Sequence, residues 1–351
     1  MEIYLLDGDY SIIGILSRLR CVTVKRRYFE PGEISVLLSA EYAELPAGSA
    51  YIYEPQSGEC ARLDSVVRSD DGLLLSGRTL EALLSQRVIY GDCSYTGLIE
   101  TSARNAVLAN AISARPIPHL LLGTGQGFTD TAELSASWTN LSDWLYASLK
   151  PHGAAYRVQL NSGEGASIRF TVVRGLDRTR SQSARAPAVF RASGGAGARF
   201  TYSDDSSANV AYVCGYDGTV VTVPTDAPTG TSRRETFISA GDIRPVSYET
   251  NDAYLSALRH RGLERLSGRE AVTGLCGGVP VCGGGVIGRD FDLGDLCEVE
   301  SPSGTYSARI TSVVETFADG IHTAVPYIGS DGDSENRRMR RQLREYLSRC
   351  L

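Results

Sequence analysis

The chain has 351 residues, which bounds it at about two to four compact domains. At 42% hydrophobic and 22% charged it is not a disordered chain, and its 37 glycines lean it toward turn-rich β structure. A formal net charge of -6 excludes a dedicated nucleic-acid binder, because phosphate contacts need a basic face. The N-terminus, MEIYLLDGDYSIIG, has no cationic start and no long apolar core, so neither a signal peptide nor a membrane anchor is expected. Cys21, Cys60, Cys93, Cys214, Cys276, Cys282, Cys297 and Cys350 are scattered rather than paired, the pattern of free thiols in a reducing cytoplasm.

Residues 3–6 and 12–16 are short apolar runs around Asp7-Gly8-Asp9, which predicts a hairpin. Residues 21–29 (CVTVKRRYF) alternate as a strand, Glu30-Pro31-Gly32-Glu33 turns, and residues 34–38 return. Further strands are expected at 50–53, 59–67 and 72–77, after Pro46-Ala47-Gly48 and around Ser69-Asp70-Asp71-Gly72. Turn signals about every 8 to 12 residues are the rhythm of a barrel or sandwich.

The period then changes. In residues 80–90 (LEALLSQRVIY), Leu80, Leu83, Leu84 and Val88 share a helical face, with Thr79 as the cap and Glu81 in the first turn. Residues 97–114 set Ile99, Ala103, Ala106, Val107, Asn110 and Ala111 at helical spacing, ended by Arg115-Pro116-Ile117-Pro118. Another helix, capped by Asn140 or Ser142, carries Leu141, Trp144, Leu145 and Leu149 and stops at Pro151-His152-Gly153. Residues 154–161 and 167–174 alternate again around Ser162-Gly163-Glu164-Gly165, a second hairpin. Residues 252–266 predict an amphipathic helix with Tyr254, Leu255, Leu258, Leu263 and Leu266 inward.

A glycine-rich stretch at 274–288 leads into a three-stranded meander. In its first strand Leu296, Glu298 and Glu300 face one way and Cys297, Val299 and Ser301 the other. Ser301-Pro302-Ser303-Gly304 and Ala318-Asp319-Gly320 make the turns around strands at 306–314 and 321–325. Such a meander has open edges and is expected to close on other strands. Residues 335–351 read as a helix with Met339, Leu343, Tyr346, Leu347 and Leu351 on one face and Arg337, Arg338, Arg340, Arg341 and Arg344 on the other. An assembly interface is expected there, at Arg337, Arg341, Leu343 and Leu347.

No motif nominates a reaction. Gly123-Thr124-Gly125-Gln126-Gly127 lacks the Lys-Ser/Thr of a phosphate loop. Cys276 and Cys282 have no second pair or histidine to complete a zinc set. Asp290, Asp292 and Asp295, like Asp331, Asp333 and Glu335, lack the calcium-loop pattern. His119, His152, His260 and His322 sit in separate segments without ligand spacing. The expectation is no catalytic residue, no cofactor and no metal, although two carboxylates meeting in the fold could still cut a glycosidic bond.

Several blocks, in order, resemble the phage tail hub family, the baseplate or tail-tip hubs of long-tailed phages. Leu5-Leu6-Asp7 with Ile12-Ile13-Gly14-Ile15-Leu16, Arg27-Tyr28-Phe29-Glu30-Pro31-Gly32-Glu33, Leu75-Ser76-Gly77-Arg78-Thr79-Leu80 and Arg87-Val88-Ile89 are similar to its opening. Gly175-Leu176-Asp177-Arg178-Thr179, Ala188-Val189-Phe190, Phe200-Thr201-Tyr202-Ser203 and residues 209–215 are similar to its middle. Asp290-Phe291-Asp292-Leu293-Gly294-Asp295 and the strands after it are similar to its close. The resemblance covers residues 1–330 and departs at Arg20-Cys21-Val22-Thr23-Val24 and at residues 194–197.

The resemblance implies an α+β, mostly β, multidomain fold with β-barrel-like modules at both ends and an α+β middle. Its divisions fall at 1–95, 96–240, 241–334 (a helix plus a barrel-like part) and a basic tail helix at 335–351. It further implies a structural, non-enzymatic homotrimer in the virion tail tip, assembled in the host cytoplasm. Such a ring joins a distal tail or tail tube protein to a tip fibre or central spike, around a channel that a tape-measure protein can occupy. No specific nucleic acid and no membrane are partners. The alternatives are the hub of a contractile injection particle and a tail-borne glycan-cleaving enzyme.

Overall fold

The computed structural model describes residues 2–329 except 42–44, 71, 162–165, 192–198, 204–206, 268, 270–271, 277–285, 302–303 and 319. The expected tail helix, with Arg337, Arg341, Leu343 and Leu347, lies outside the described residues. So do Asp331, Asp333, Glu335, Cys282, Cys350, residues 194–197 and the turn residues 162–165, Pro302, Ser303 and Asp319.

The chain is mostly β. Its first part holds β1 (Ile3–Leu6), β2 (Ile12–Leu16), β3 (Leu19–Arg27), β4 (Glu33–Leu38), β5 (Tyr51–Glu54), β6 (Glu59–Ser69) and β7 (Gly72–Thr79). Alternation decides which face is buried: Ile34, Val36 and Leu38 of β4 meet Ile3, Leu5, Val22, Val24, Ile52 and Leu75 in one core. Where a helix was expected after β7, Leu80–Gln86 forms a short 3-10 segment and the chain is extended again at Arg87. Thr79 does not cap it. Its hydroxyl accepts the Gly32 N–H at 2.7 Å, because Thr79 still belongs to the sheet. Leu80, Leu83 and Leu84 are buried as expected, whereas Val88 turns outward and bridges to Asn140.

The middle begins with β8 (Asp92–Leu98), α1 (Ile99–Val107), β9 (Leu120–Leu122), β10 (Thr131–Ser137), α2 (Leu141–Leu149), β11 (Ala154–Asn161) and β12 (Ser167–Arg174). Gly97 and Leu98 close a strand rather than open a helix, and α1 runs into a π-helical segment, Leu108–Ser113. Asn140 caps α2 through its side chain, accepting from Ser142 and Asp143. The apolar faces of α1 and α2 pack on the β11–β12 hairpin, where Ala106, Leu145, Tyr156 and Phe170 share a core with Leu6, Tyr10 and Leu84 of the first part.

The second half of the middle comprises β13 (Val189–Arg191), β14 (Arg199–Ser203), β15 (Val210–Gly215), β16 (Val220–Val223), β17 (Glu235–Ala240) and α3 (Asn251–Ser267). Helix α3 lies on the β16–β15–β17 sheet and buries Tyr254, Leu258 and Leu266. Leu263, expected inward, is 47% exposed. Neighbouring Gly262 makes the contact instead, since a Cβ there would sit 2.3 Å from a Val223 methyl and 2.7 Å from one of Val213.

The chain ends in β18 (Val272–Cys276), β19 (Leu296–Ser301), β20 (Gly304–Ala318) and β21 (Ile321–Gly329). Strand β20 serves two neighbours along its length. Residues 304–309 pair with β19, while Ser312 to Ala318 pair with Arg27 to Cys21 of β3. The closing meander thus joins the opening strands in one 13-stranded sheet that runs from β14 to β2, with β13 and β19 off the main path. Phe190, Phe291, Cys297, Val299, Ile310 and Val313 form the core on the C-terminal side. Glu298, expected to face away from that core, is also buried, held by the Arg180 N–H at 2.8 Å.

The close seating of α3 is testable. Gly262→Val should lower stability by about 1–3 kcal/mol through overpacking against Val213 and Val223. Chemical denaturation of variant and parent checks it, and equal midpoints would contradict the contact.

Candidate functional site

Three sequence blocks far apart in the chain converge on one buried joint. Tyr28, from the Arg27-Tyr28-Phe29 block, donates its hydroxyl to the Gly153 carbonyl at 3.0 Å and accepts the Gly175 N–H at 2.9 Å. Asp295, from the closing block, accepts the Leu176 N–H at 2.7 Å, the Arg178 Nε at 2.9 Å and the Asp292 N–H at 3.0 Å. Gly294 has φ +91°, and a Cβ on it would lie 2.2 Å from the Tyr28 ring. A Cβ on Gly175 would lie 1.9 Å from the Gly294 carbonyl. Glycine is needed at both positions because two backbones and a ring meet there.

Charge organises the rest of the joint. Arg157 of β11 enters between Glu59 of β6, which it bonds closely, and Glu81, 3.4 Å from its Nε. Glu81 also accepts the Val158 N–H at 3.3 Å, while its second oxygen is buried without a protein partner. Burial pushes the Glu59 carboxyl above its ordinary range and Glu81 adds to this, with Arg157 opposing both. Burial works against the Arg157 charge, but the two carboxylates prevail and hold it above the usual guanidinium value. Beside them Arg26 of β3 meets Glu315 of β20 at 2.9 Å, an ion pair laid across the seam that closes the large sheet, and reaches Asp292 at 3.5 Å.

The groups singled out for chemistry are dispersed or engaged elsewhere. The Gly123 to Gly127 loop wraps a protein carboxylate: Glu100, nearly buried, accepts the N–H groups of Gln126 at 2.6 Å, Gly127 at 2.8 Å and Phe128 at 3.2 Å. Asp290 pairs with Arg289, which holds it down to about 2, Asp295 turns into the joint, and Asp292 stays exposed at its rim, 3.5 Å from Arg26. His119 meets Asp9 at 3.1 Å, His152 meets Asp130 at 3.8 Å, and His322 meets Glu315 at 3.3 Å. Burial pushes His260 down to about 4. Among the described residues no three His, Cys, Asp or Glu side chains gather as a metal set, and Cys21, Cys60, Cys93, Cys214 and Cys297 are free thiols.

The surface carries a different signal. Among the described residues strand β2 ends the large sheet with one edge unpaired, and it exposes Ile12 at 61% and Ile15 at 57%. The β6–β7 ribbon exposes Val66, Val67 and Leu74. Tyr90 and Trp138, also exposed, stack edge-on with ring centroids 4.6 Å apart. Edge strands and clustered apolar side chains of this kind mark contact surfaces.

This arrangement of sheets is the fold of phage tail proteins. It is similar to the prophage tail protein gp18 from Listeria monocytogenes EGD-e, with a TM-score of 0.58 at 13% identity over 99% of this chain and 100% of that one. It is also similar to the 43 kDa tail protein of prophage MuSo2 from Shewanella oneidensis, with a TM-score of 0.54 at 15% identity over 93% and 98%. No curated protein matches the sequence. The chain belongs to the family described as Siphovirus ReqiPepy6 Gp37-like protein, whose profile matches residues 2–330. Family and fold together make it a phage protein of the tail and baseplate type.

Arg157 offers the sharpest test of the joint. Arg157→Met leaves Glu59 and Glu81 buried without a cation and should cost about 3–5 kcal/mol at neutral pH. Glu59 has a raised folded-state value, so its contribution to stability is full below the unfolded carboxylate range and lost as pH rises through the folded value. The deficit of the variant should therefore shrink on acidification, when the stranded Glu59 carboxyl takes up a proton. Denaturant unfolding at neutral and mildly acidic pH measures it, and a pH-independent deficit contradicts the charge assignment.

Proposed function

We propose that the protein is a structural hub of the tail tip: a homotrimeric ring that joins the tail tube or distal tail protein to a tip fibre or central spike. The observation that carries this reading is the combination of a locked interior and an unfinished sheet. Tyr28, Arg157 and Asp295 fix the parts of the chain in one orientation, while β2 leaves a β-edge with two exposed isoleucines. A subunit that must repeat identically around an axis needs the first, and a subunit that must join its copies needs the second.

The reading assigns the protein no catalytic step. Glu59 and Glu81 share Arg157 inside the joint rather than flanking an open cleft, which favours a mechanical part over a glycan-cleaving one. The work of such a ring is geometric. It adapts the tube to the tip and leaves a central channel in which a tape-measure protein can sit.

Light scattering coupled to size exclusion, with negative-stain imaging of the same peak, is expected to give a trimer and a ring. Replacing Ile12 and Ile15 by lysine should shift the equilibrium toward monomer by at least about tenfold while leaving thermal unfolding of the subunit unchanged. A monomer at every concentration, with no ring beside its tail partners, would overturn the reading.

A further inference from the structure

A groove of ≈ 620 Å³ opens on the face of the β11–β12–β9 sheet that carries Gln159, Asn161, Arg169 and Thr171, and it adjoins the joint where Thr171 lies opposite Arg157. Its floor is the sheet itself, in which Gln159 and Arg169 are cross-strand neighbours. Gly123 at the end of β9 keeps that floor open, because a Cβ there would lie 2.4 Å from the Thr171 hydroxyl. One rim is the glycine loop, held from below by the three amide bonds to Glu100 and by Arg104, which donates to the Gly123 carbonyl at 2.7 Å. The Arg174 guanidinium lies 4.7 Å over the Phe128 ring and bonds Asp130 at 2.8 Å. These contacts keep both arms of the rim in place before any ligand arrives.

Arg174 is paired with Asp130, but Arg169 and part of the hydrogen-bonding capacity of the groove are unused among the described residues. Among the described residues no Asp or Glu lines it. Arg169 is exposed and makes no ion pair or hydrogen bond among the described residues. The Nε of Arg174 is buried with no partner. Beside these cations stand the side-chain amides of Gln126, Gln159 and Asn161 and the hydroxyls of Thr124 and Thr171. Guanidinium groups take planar or tetrahedral anions through paired N–H donors, and amides can bond adjacent hydroxyls as donor and acceptor at once.

We propose that this groove binds an anionic saccharide, with Arg169 on the carboxylate or phosphate and Gln159, Asn161 and Thr171 on the hydroxyls beside it. An acidic peptide fits less well. An extended peptide takes its main-chain bonds from a sheet edge, and a helix needs an apolar trough, whereas this groove offers the polar face of a sheet. The inference does not rest on the hub reading, since it uses no subunit contact.

The test is titration of the full-length protein, followed by calorimetry, with three kinds of probe: a tetrasaccharide alternating glucuronate with N-acetylglucosamine, a short glycerol phosphate oligomer, and neutral N-acetylglucosamine oligomers. Binding of either anionic probe in preference to the neutral one is expected, and the preferred probe identifies the acid. Arg169→Gln should weaken it by at least about tenfold and Thr171→Val by a smaller factor. Thermal unfolding shows that the exposed Arg169 variant remains folded. The proposal is overturned if neither anionic probe binds, if Arg169→Gln binds as tightly as the parent, or if an oligoglutamate peptide binds more tightly than both saccharides.

Discussion

The pairing of β3 with β20 is the constraint on which the rest of the molecule depends. The two strands are joined edge to edge in register from Cys21 opposite Ala318 to Arg27 opposite Ser312, across nearly the whole length of the chain. Loop-closure entropy grows only slowly with separation, but bringing such distant strands together still needs contacts that reward it at once. Val22 and Val24 supply apolar burial, and Arg26 with Glu315 supplies a partly buried ion pair on the same face of the sheet. The seam also satisfies an edge of each terminal region inside the chain, leaving β2 as an open end of the large sheet. An exposed β-edge of this kind is a ready template for pairing with another chain, which is the use the proposed hub makes of it.

The charged joint adds geometry more than strength. Two carboxylates and one guanidinium withdrawn from water gain little net stability, since desolvation offsets most of their attraction. Removing one member is costly because it strands the others. That asymmetry makes the arrangement of β6, β11 and the segment Leu80–Gln86 strongly preferred over nearby alternatives. The contact of Gly175 with Gly294 acts in the same direction by sterics, as a side chain at Gly175 would force two backbones apart and one at Gly294 would displace the Tyr28 ring. The result is a chain whose parts hold one mutual orientation, as the proposed ring would require.

Much of the sheet was legible in the sequence because burial on one face imposes strict alternation. Residues 34–38, 154–161 and 167–174 carry that pattern between clear turns and are the strands β4, β11 and β12, while the short apolar runs at 3–6 and 12–16 around Asp7-Gly8-Asp9 are β1 and β2. Strands β8 and β10 were not legible: DCSYTGL and TAELSAS are small and polar, and a two-stranded ribbon with much of its surface in water leaves a weak apolar signal. The segment after β7 misled through its leucines, which have helical spacing but are buried by a 3-10 turn that Arg87 ends at once. The joint was half visible. The blocks around Tyr28, Gly175 and Asp295 stood out as separate resemblances to tail hubs, yet nothing in their spacing said that they touch. Glu59 and Arg157 gave no signal and Glu81 read only as a first-turn acid of an expected helix, because only the tertiary fold sets the three face to face. The glycine loop raised the question of an anion, and the structure answers with a protein carboxylate, Glu100.

Hydrogen exchange read by mass spectrometry on peptides covering Leu19–Arg27 and the C-terminal half of β20 tests the closing seam most directly. If the two strands form one ladder, their amides should share the slowest exchange in the protein and open together under denaturant, as a single cooperative unit. Exchange of the β20 peptide well before that of β3, with β3 still protected, would show two independent modules and contradict the closed sheet.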